Sequence, residues 1–174
     1  MSEHQVYIIV AVDQNNGIGK NGQIPWRLKG DMKFFKEITT KTKDPSKQNM
    51  VIMGRKTWDS LPEQFRPLPD RVNLVLTRNA DSKFEGALQA SSLQEAVELA
   101  GAKIEKIFII GGGSIYQQAL EQLDLAGVYI TQVDLAADCD TYFPEVAEKF
   151  PHETSLGEME EAGIAYEFFL YERE

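Results

Sequence analysis

Lys106-Ile107-Phe108-Ile109-Ile110-Gly111-Gly112-Gly113-Ser114-Ile115-Tyr116 is the stretch on which the fold turns. Lys106–Ile110 is expected as a buried strand. Three glycines follow at once, and an amphipathic helical pattern runs on to Leu123. Val128–Val133 is then another strand, with Tyr129, Thr131 and Val133 on one face. The glycines allow a ligand to approach the main chain closely, with a helix N-terminus aimed at it. A tight strand-to-helix turn is the other reading of the same residues.

The same alternation extends upstream. Val6–Val12 is a buried strand. After it, Gly17, Gly19 and Gly22 spell G-x-G-x-x-G. The dinucleotide fingerprint is rejected, because that motif opens a helix directly and Pro25 arrives here before any helical pattern. A surface loop, either a lid or a plain connection, fits better. From Gly30 the pattern turns helical. Phe34, Phe35 and Ile38 share one face, while Lys33, Lys36 and Glu37 lie on the other. Asp31 sits on the apolar face, where a carboxylate is costly unless paired. It is either a first-turn cap or a functional acid, and Trp26 just upstream offers an indole N–H.

Downstream, Met50–Met53 is a strand and Gly54-Arg55-Lys56-Thr57-Trp58 turns into a short helix that ends at Pro62. Val72–Thr77 is the next strand, with Arg78 after it. In a parallel sheet Arg55, Lys56 and Arg78 follow neighbouring strand ends; they are either a convergent phosphate site or plain exposed charges. Ser92-Leu93-Gln94-Glu95 is a capping box opening a helix with Leu93, Ala96, Val97 and Ala100 inward. Asp138–Pro144 reads as a loop, and Ile164–Tyr171 as a closing strand. These elements give an α/β fold: a single-domain, doubly wound, mostly parallel central sheet, helices on both faces, and an antiparallel C-terminal edge.

Composition sets bounds. The 174 residues suit one domain over 1–174. The net charge of −9, with nine Glu against Lys149 and Arg173 between Glu145 and Glu174, disfavours nucleic acid. Cys139 is the sole cysteine, which points to a reducing, cytoplasmic compartment. The start, Met1 to Gln5, lacks a basic region followed by an apolar one, and no apolar run is long enough to span a membrane. His4 and His152 lie near opposite ends of the chain, so neither a metal site nor a Ser-His-Asp triad is expected.

Taken in order, these pieces resemble dihydrofolate reductases of the chromosomal, single-domain type. The matching motifs are Gly17-Ile18-Gly19, Ile24-Pro25-Trp26, Asp31 with Phe35, and Met53-Gly54-Arg55-Lys56-Thr57-Trp58. Arg66-Pro67-Leu68, Arg71, Ile110-Gly111-Gly112-Gly113 with Tyr116, and Asp140-Thr141 with Phe143-Pro144 complete them. The resemblance covers essentially the whole chain. It implies hydride transfer from NADPH to pterin C6 of dihydrofolate, with a proton to N5. It also implies a central sheet of about eight strands and antifolate binding; nothing in the sequence suggests more than a monomer, and no metal is expected.

Residue roles follow from that resemblance. Asp31 matches the family's one ionisable group in the pterin pocket, and as a carboxylate it accepts two hydrogen bonds from an amino-pyrimidine edge. With an ordinary pKa of about 3.9, only about one Asp in a thousand is protonated at pH 7. Either burial raises that pKa or a water delivers the proton. Trp26 and Thr131 match residues holding a pocket water and the carboxylate, and Ile24 matches a lid position. Ile9, Val10, Met32, Phe35, Leu61, Leu68 and Ile110 match the substrate walls or the strand backbone beside them. Arg71 matches the cation for the glutamate tail. Ala11, Ile18 and Gly19 match nicotinamide contacts. Gly54, Arg55, Lys56, Thr57, Leu76, Thr77 and Arg78 match the pyrophosphate and 2′-phosphate side. Ile110, Gly112, Gly113, Ser114, Ile115 and Tyr116 match the second phosphate loop, and the Gly111–Gly112 peptide is expected cis.

The chain departs from the family pattern in places. Ile24 stands where Met or Leu is frequent, Met32 where Leu is common, and Ser114 where some bacterial members carry Arg. The segments Thr40–Gln48 and Glu63-Gln64-Phe65 are longer than in compact bacterial members. Two other readings compete. A pyrimidine reductase of riboflavin synthesis needs neither Asp31 on a pterin edge nor Arg71 on a tail. A non-catalytic nucleotide-binding module binds NADPH without turning it over.

Overall fold

The computed structural model describes residues 4–21, 23–79 and 81–173. Met1-Ser2-Glu3 and Gly22, the third glycine of the G-x-G-x-x-G, lie outside the described residues. The chain runs from β1 (Gln5–Val12) through a short β2 (Gly17–Gly19) to α1 (Lys29–Thr40). Next come β3 (Gln48–Gly54), α2 (Arg55–Ser60), β4 (Val72–Leu76), β5 (Leu88–Ala90) and α3 (Leu93–Glu98). Then follow β6 (Ile104–Ile109), α4 (Gly113–Gln122), β7 (Gly127–Val133), β8 (Thr141–Tyr142), β9 (His152–Glu161) and β10 (Ile164–Glu172).

Eight of these strands form one sheet in the order β5-β4-β3-β6-β1-β7-β10-β9. From β5 to β7 all pairings are parallel, and β10 runs antiparallel to both β7 and β9. The expected mixed sheet with an antiparallel C-terminal edge is therefore the observed one. β1 alternates its side chains between two cores. Val6, Ile8, Val10 and Val12 pack with α3 and α4 on one face, while Tyr7 and Ile9 pack with α1 and α2 on the other.

The topology chooses where a ligand fits. β1 leads by way of α1 to β3 on one side, whereas β6, its hydrogen-bonded neighbour, leads over β1 to β7 on the other. Adjacent strands whose connections leave in opposite directions open a crevice at their C-terminal ends. In the β1–β6 register Ile8 faces Ile109, so Ile9, Val10 and Ala11 run on past the end of β6. That crevice lies beside Ile110 and the glycine turn.

Three elements differ from the sequence expectation. Gly17–Gly19 is not a free loop: it pairs with β8, itself expected as loop. The Asp13 carboxylate ties this base down, accepting from the amides of Gly17 at 2.7 Å, Asn15 at 2.9 Å and Ala137 at 2.9 Å. Burial alone raises its pKa, but these bonds and the Cys139 thiol outweigh it and hold the carboxyl below its usual range. β9 carries no apolar alternation, because as an edge strand it is exposed along almost its whole length. Its glutamates discourage pairing with another chain. The turn into β10 has Ala162 and Gly163 both at positive φ, the geometry of a two-residue hairpin. The capping box at Ser92 is half formed: Ser92 Oγ accepts from the Glu95 amide at 3.1 Å, while the Glu95 carboxylate takes the Ser91 hydroxyl at 2.8 Å.

Candidate active site

Asp31 is not capping its helix. The N-cap of α1 is Leu28, and no side chain at that position caps it. Instead Asp31 Oδ1 accepts from Thr131 Oγ1 at 2.8 Å. Thr131 is buried in β7, where it faces Ala11 of β1 and Phe168 of β10. Helical spacing places Phe34, Phe35 and Ile38 on the face of α1 that carries Asp31, and all three are half-buried there. Phe34 stacks on Phe168 with ring centroids 4.0 Å apart, a contact worth about 1 kcal/mol beyond its area. Burial pushes the Asp31 carboxyl above its ordinary pKa, and the Thr131 bond draws it part of the way back.

The expected substrate walls come together on this face of the sheet. Ile9, Phe35, Leu61, Leu68 and Ile110 belong to one apolar cluster with Met53, Trp58 and Phe108. Val10 does not join them. Its side chain points into the opposite core, so only its main chain faces the crevice. Ile24 and Met32 are 62% and 52% exposed, an unusual position for apolar side chains that flank a cleft. The Trp26 indole Nε1 is buried and has no hydrogen-bond partner among the described residues. Such an atom calls for a bound group or water beside it.

Arg71 lies at the far end of α1. It is 8% exposed, with Nε donating to the Pro69 carbonyl at 2.8 Å and Nη1 to Thr39 Oγ1 at 3.0 Å. Burial lowers its pKa, the nearby Asp70 opposes this, and no carboxylate forms an ion pair with it among the described residues. Thr39 in turn donates to the Phe35 carbonyl at 2.7 Å. Sequence reasoning does not single out Thr39, although its spacing from Asp31 and Phe35 puts all three on one helical stripe.

The two glycine turns expected to receive a cofactor touch one another. The Gly54 amide donates to the Gly111 carbonyl at 2.9 Å, which joins the start of α2 to the start of α4. The Gly111–Gly112 peptide is cis. A Cβ on Gly111 would lie 3.2 Å from Thr57 Oγ1, and one on Gly54 would lie 3.2 Å from Ile115 Cγ1, so bulk at either turn is tightly limited. A Cβ on Gly113 would lie 2.7 Å from Thr141 Cγ2 and 3.7 Å from Ile18 Cδ1. The β2–β8 ribbon with Ile18 and Gly19 therefore leans against this turn. No side chain caps α4, and Ser114 is exposed at its first turn. Tyr116 is buried, and its hydroxyl donates to the Ile9 carbonyl at 2.9 Å. Burial and then the Asp31 charge raise its pKa far above the usual value, so it stays a donor.

Register places Gly54 of β3 opposite Leu76 of β4. Arg55 and Lys56 thus follow one strand end, and Thr77 and Arg78 the next. Arg55 reaches Asp59 at 3.8 Å, while Lys56 and Arg78 are exposed and in no ion pair among the described residues. Thr77 Oγ1 accepts from the Asn79 amide at 3.1 Å. The same set of residues offers a phosphate open cations, a helix start and close glycine backbone.

Comparison with known proteins decides the family. The dihydrofolate reductase family model matches residues 5–173. The chain belongs to the dihydrofolate reductase family. The dihydrofolate reductase of Heliothis virescens is 41% identical over 99% of this chain and 100% of that protein. A bifunctional dihydrofolate reductase-thymidylate synthase of Daucus carota is 46% identical over 95% of this chain, which spans 33% of that longer protein. The solved dihydrofolate reductase of Schistosoma mansoni superposes with a TM-score of 0.85 at 37% identity, covering 99% of this chain and 100% of the other. Among the described residues no helix is long and apolar enough to cross a membrane.

Proposed function

We propose that this chain reduces 7,8-dihydrofolate to 5,6,7,8-tetrahydrofolate with NADPH, supplying one-carbon carriers for thymidylate and purine synthesis. The observation that carries the reading is the half-buried Asp31 carboxylate, held by Thr131 in a chain of this family, together with a buried Trp26 indole N–H that has no partner among the described residues. A bound nicotinamide cofactor supplies the hydride that reaches pterin C6.

The chain's own residues do the rest. Asp31 accepts from the amino-pyrimidine edge and orients the ring, and its raised pKa eases delivery of a proton to N5. Trp26 Nε1 is the donor that holds a water between pocket and solvent. Ile9, Phe35, Leu61, Leu68 and Ile110 give the ring and benzoyl group a dry wall, and Met32 and Ile24 close over them. Arg71 takes the glutamate carboxylate, and its buried setting, with no ion-pair partner among the described residues, suits a fork-shaped grip.

Glycine turns at Gly54 and Gly111–Gly113 receive the diphosphate, with Thr57, Ser114 and Ile115 beside it. Arg55, Lys56 and Arg78 select the 2′-phosphate. Ala11, Ile18 and Gly19 flank the nicotinamide. We read the molecule as a cytoplasmic single-domain monomer that binds antifolates; the lone buried Cys139 supports the reducing compartment, and the charge of −9 speaks against a nucleic-acid partner.

The test is NADPH oxidation with dihydrofolate, alongside a folate-free control and methotrexate. Substrate-dependent oxidation blocked by methotrexate is expected. NADPH binding with no turnover of dihydrofolate overturns the reading, and turnover of the riboflavin-pathway pyrimidine would replace it.

A further inference from the structure

Helix α1 begins without a cap of its own, and a carboxylate from the far end of the chain takes that place. Glu161 closes β9 at the hairpin turn. Its Oε2 accepts from the Lys29 amide at 2.8 Å and its Oε1 from the Gly30 amide at 3.1 Å. These are two of the free N–H groups that every helix start exposes. Tyr166 of β10 donates its hydroxyl to the same Oε1 at 3.0 Å. The residue after Gly30 is Asp31.

Packing keeps this arrangement close. A Cβ on Gly30 would lie 2.1 Å from the Tyr166 hydroxyl and 2.9 Å from Met159 Sδ, so only glycine admits the approach. Tyr166 is buried and faces Val133 of β7, two residues beyond Thr131. The first turn of α1 is therefore gripped from both sides. Thr131 holds the Asp31 carboxylate, and Glu161 holds the backbone of the two residues before it.

We propose that Glu161 is a positioning residue: by capping α1 across the fold it sets the place and the charge balance of Asp31, and so tunes dihydrofolate binding and protonation. The inference rests on the reductase reading. The charged and titratable groups around this turn are Lys29, Glu161 and Tyr166 on the outer side, with Tyr116 facing Asp31 from within. While Glu161 occupies the helix start, its negative charge offsets the positive end of the dipole. Removing that charge leaves two N–H groups and the dipole to favour the ionised form of Asp31.

The experiment compares wild type, Glu161→Ala and Glu161→Gln in steady-state kinetics from acid to alkaline pH, with thermal melts alongside. For Glu161→Ala the KM for dihydrofolate rises about fivefold while the KM for NADPH is unchanged. The pH at which kcat falls to half moves lower, because Asp31 ionises more easily. Glu161→Gln keeps the side chain's size and loses its charge, so its midpoint moves the same way with a smaller KM change. It also carries the test if the alanine variant does not fold. Unmoved KM and midpoint, with or without a lower Tm, would make Glu161 a hairpin staple and overturn the proposal. A parallel rise in both KM values with an unmoved midpoint would overturn it too. Absence of turnover in the wild type removes the reductase reading and this inference together, whereas turnover with unmoved variants removes the inference alone.

Discussion

The Thr131 hydroxyl is the one group that hydrogen-bonds the Asp31 carboxylate among the described residues, 2.8 Å away and 100 positions along the chain. A half-buried charge with a single neutral donor is poorly compensated. Replacing Thr131 with Val keeps the shape and removes that donor. The Asp31 pKa then rises further, since the lost bond was the influence lowering it. Because the penalty exists only while Asp31 is ionised, Thr131→Val loses about 1–3 kcal/mol at neutral pH. The gap narrows as pH falls through the raised pKa. Urea titrations at a series of pH values check this.

Asp31→Asn separates stability from activity. A carboxyl whose folded-state pKa is raised contributes most below its unfolded pKa, and that contribution is lost as pH rises. An amide carries no such cost and still accepts from Thr131. The variant therefore gains about 1 kcal/mol at neutral pH and nothing in acid. Its turnover with dihydrofolate at pH 7 falls about a hundredfold or more. A melt and an activity assay on the same preparation decide the matter.

The fold was legible in the sequence where strands are buried on both faces. β1, β3, β4, β6 and β7 each carry a mostly apolar stretch, because parallel strands between two helix layers have little wet side. β9 was not, because an exposed edge needs charge more than alternation, and Ala162 hides a turn that Asn or Asp would have announced. The site divides in the same way. Asp31 and Phe35 stand out by helical spacing, and Thr39 continues the same stripe. Asp13 and Glu161 reach backbone amides more than 100 residues away, and Tyr166 acts through Glu161 across the hairpin, so no sequence motif marks them.

Arg71 and Thr39 give a prediction about the substrate's tail. Arg71→Ala raises the KM for dihydrofolate about a hundredfold, as expected for a lost charge-assisted pair, with much less effect on a pterin lacking the glutamate. Thr39→Val removes the hydroxyl oxygen that accepts from Arg71 Nη1 and produces a smaller rise with the same substrate selectivity. Kinetics with the two substrates side by side distinguish tail recognition from general damage.

Cofactor choice is tested at the exposed cations. Lys56→Ala combined with Arg78→Ala removes two exposed charges that form no ion pair among the described residues, so stability changes by less than about 0.5 kcal/mol. The ratio of kcat/KM for NADPH to that for NADH falls at least about tenfold, mostly through the KM for NADPH. An unchanged ratio would place the 2′-phosphate elsewhere.

Helix α1 carries Asp31 in its first turn and Thr39, the holder of Arg71, in its last. Eight residues of α-helix rise about 12 Å. The helix thus works as a ruler with a negative mark at one end and a positive one at the other. A single inserted residue between them would move one mark by about 1.5 Å and swing it about 100° around the axis. The loops around this crevice have room to lengthen, but the interval between these two marks does not: a ligand gripped at both ends must match a distance written in helical turns.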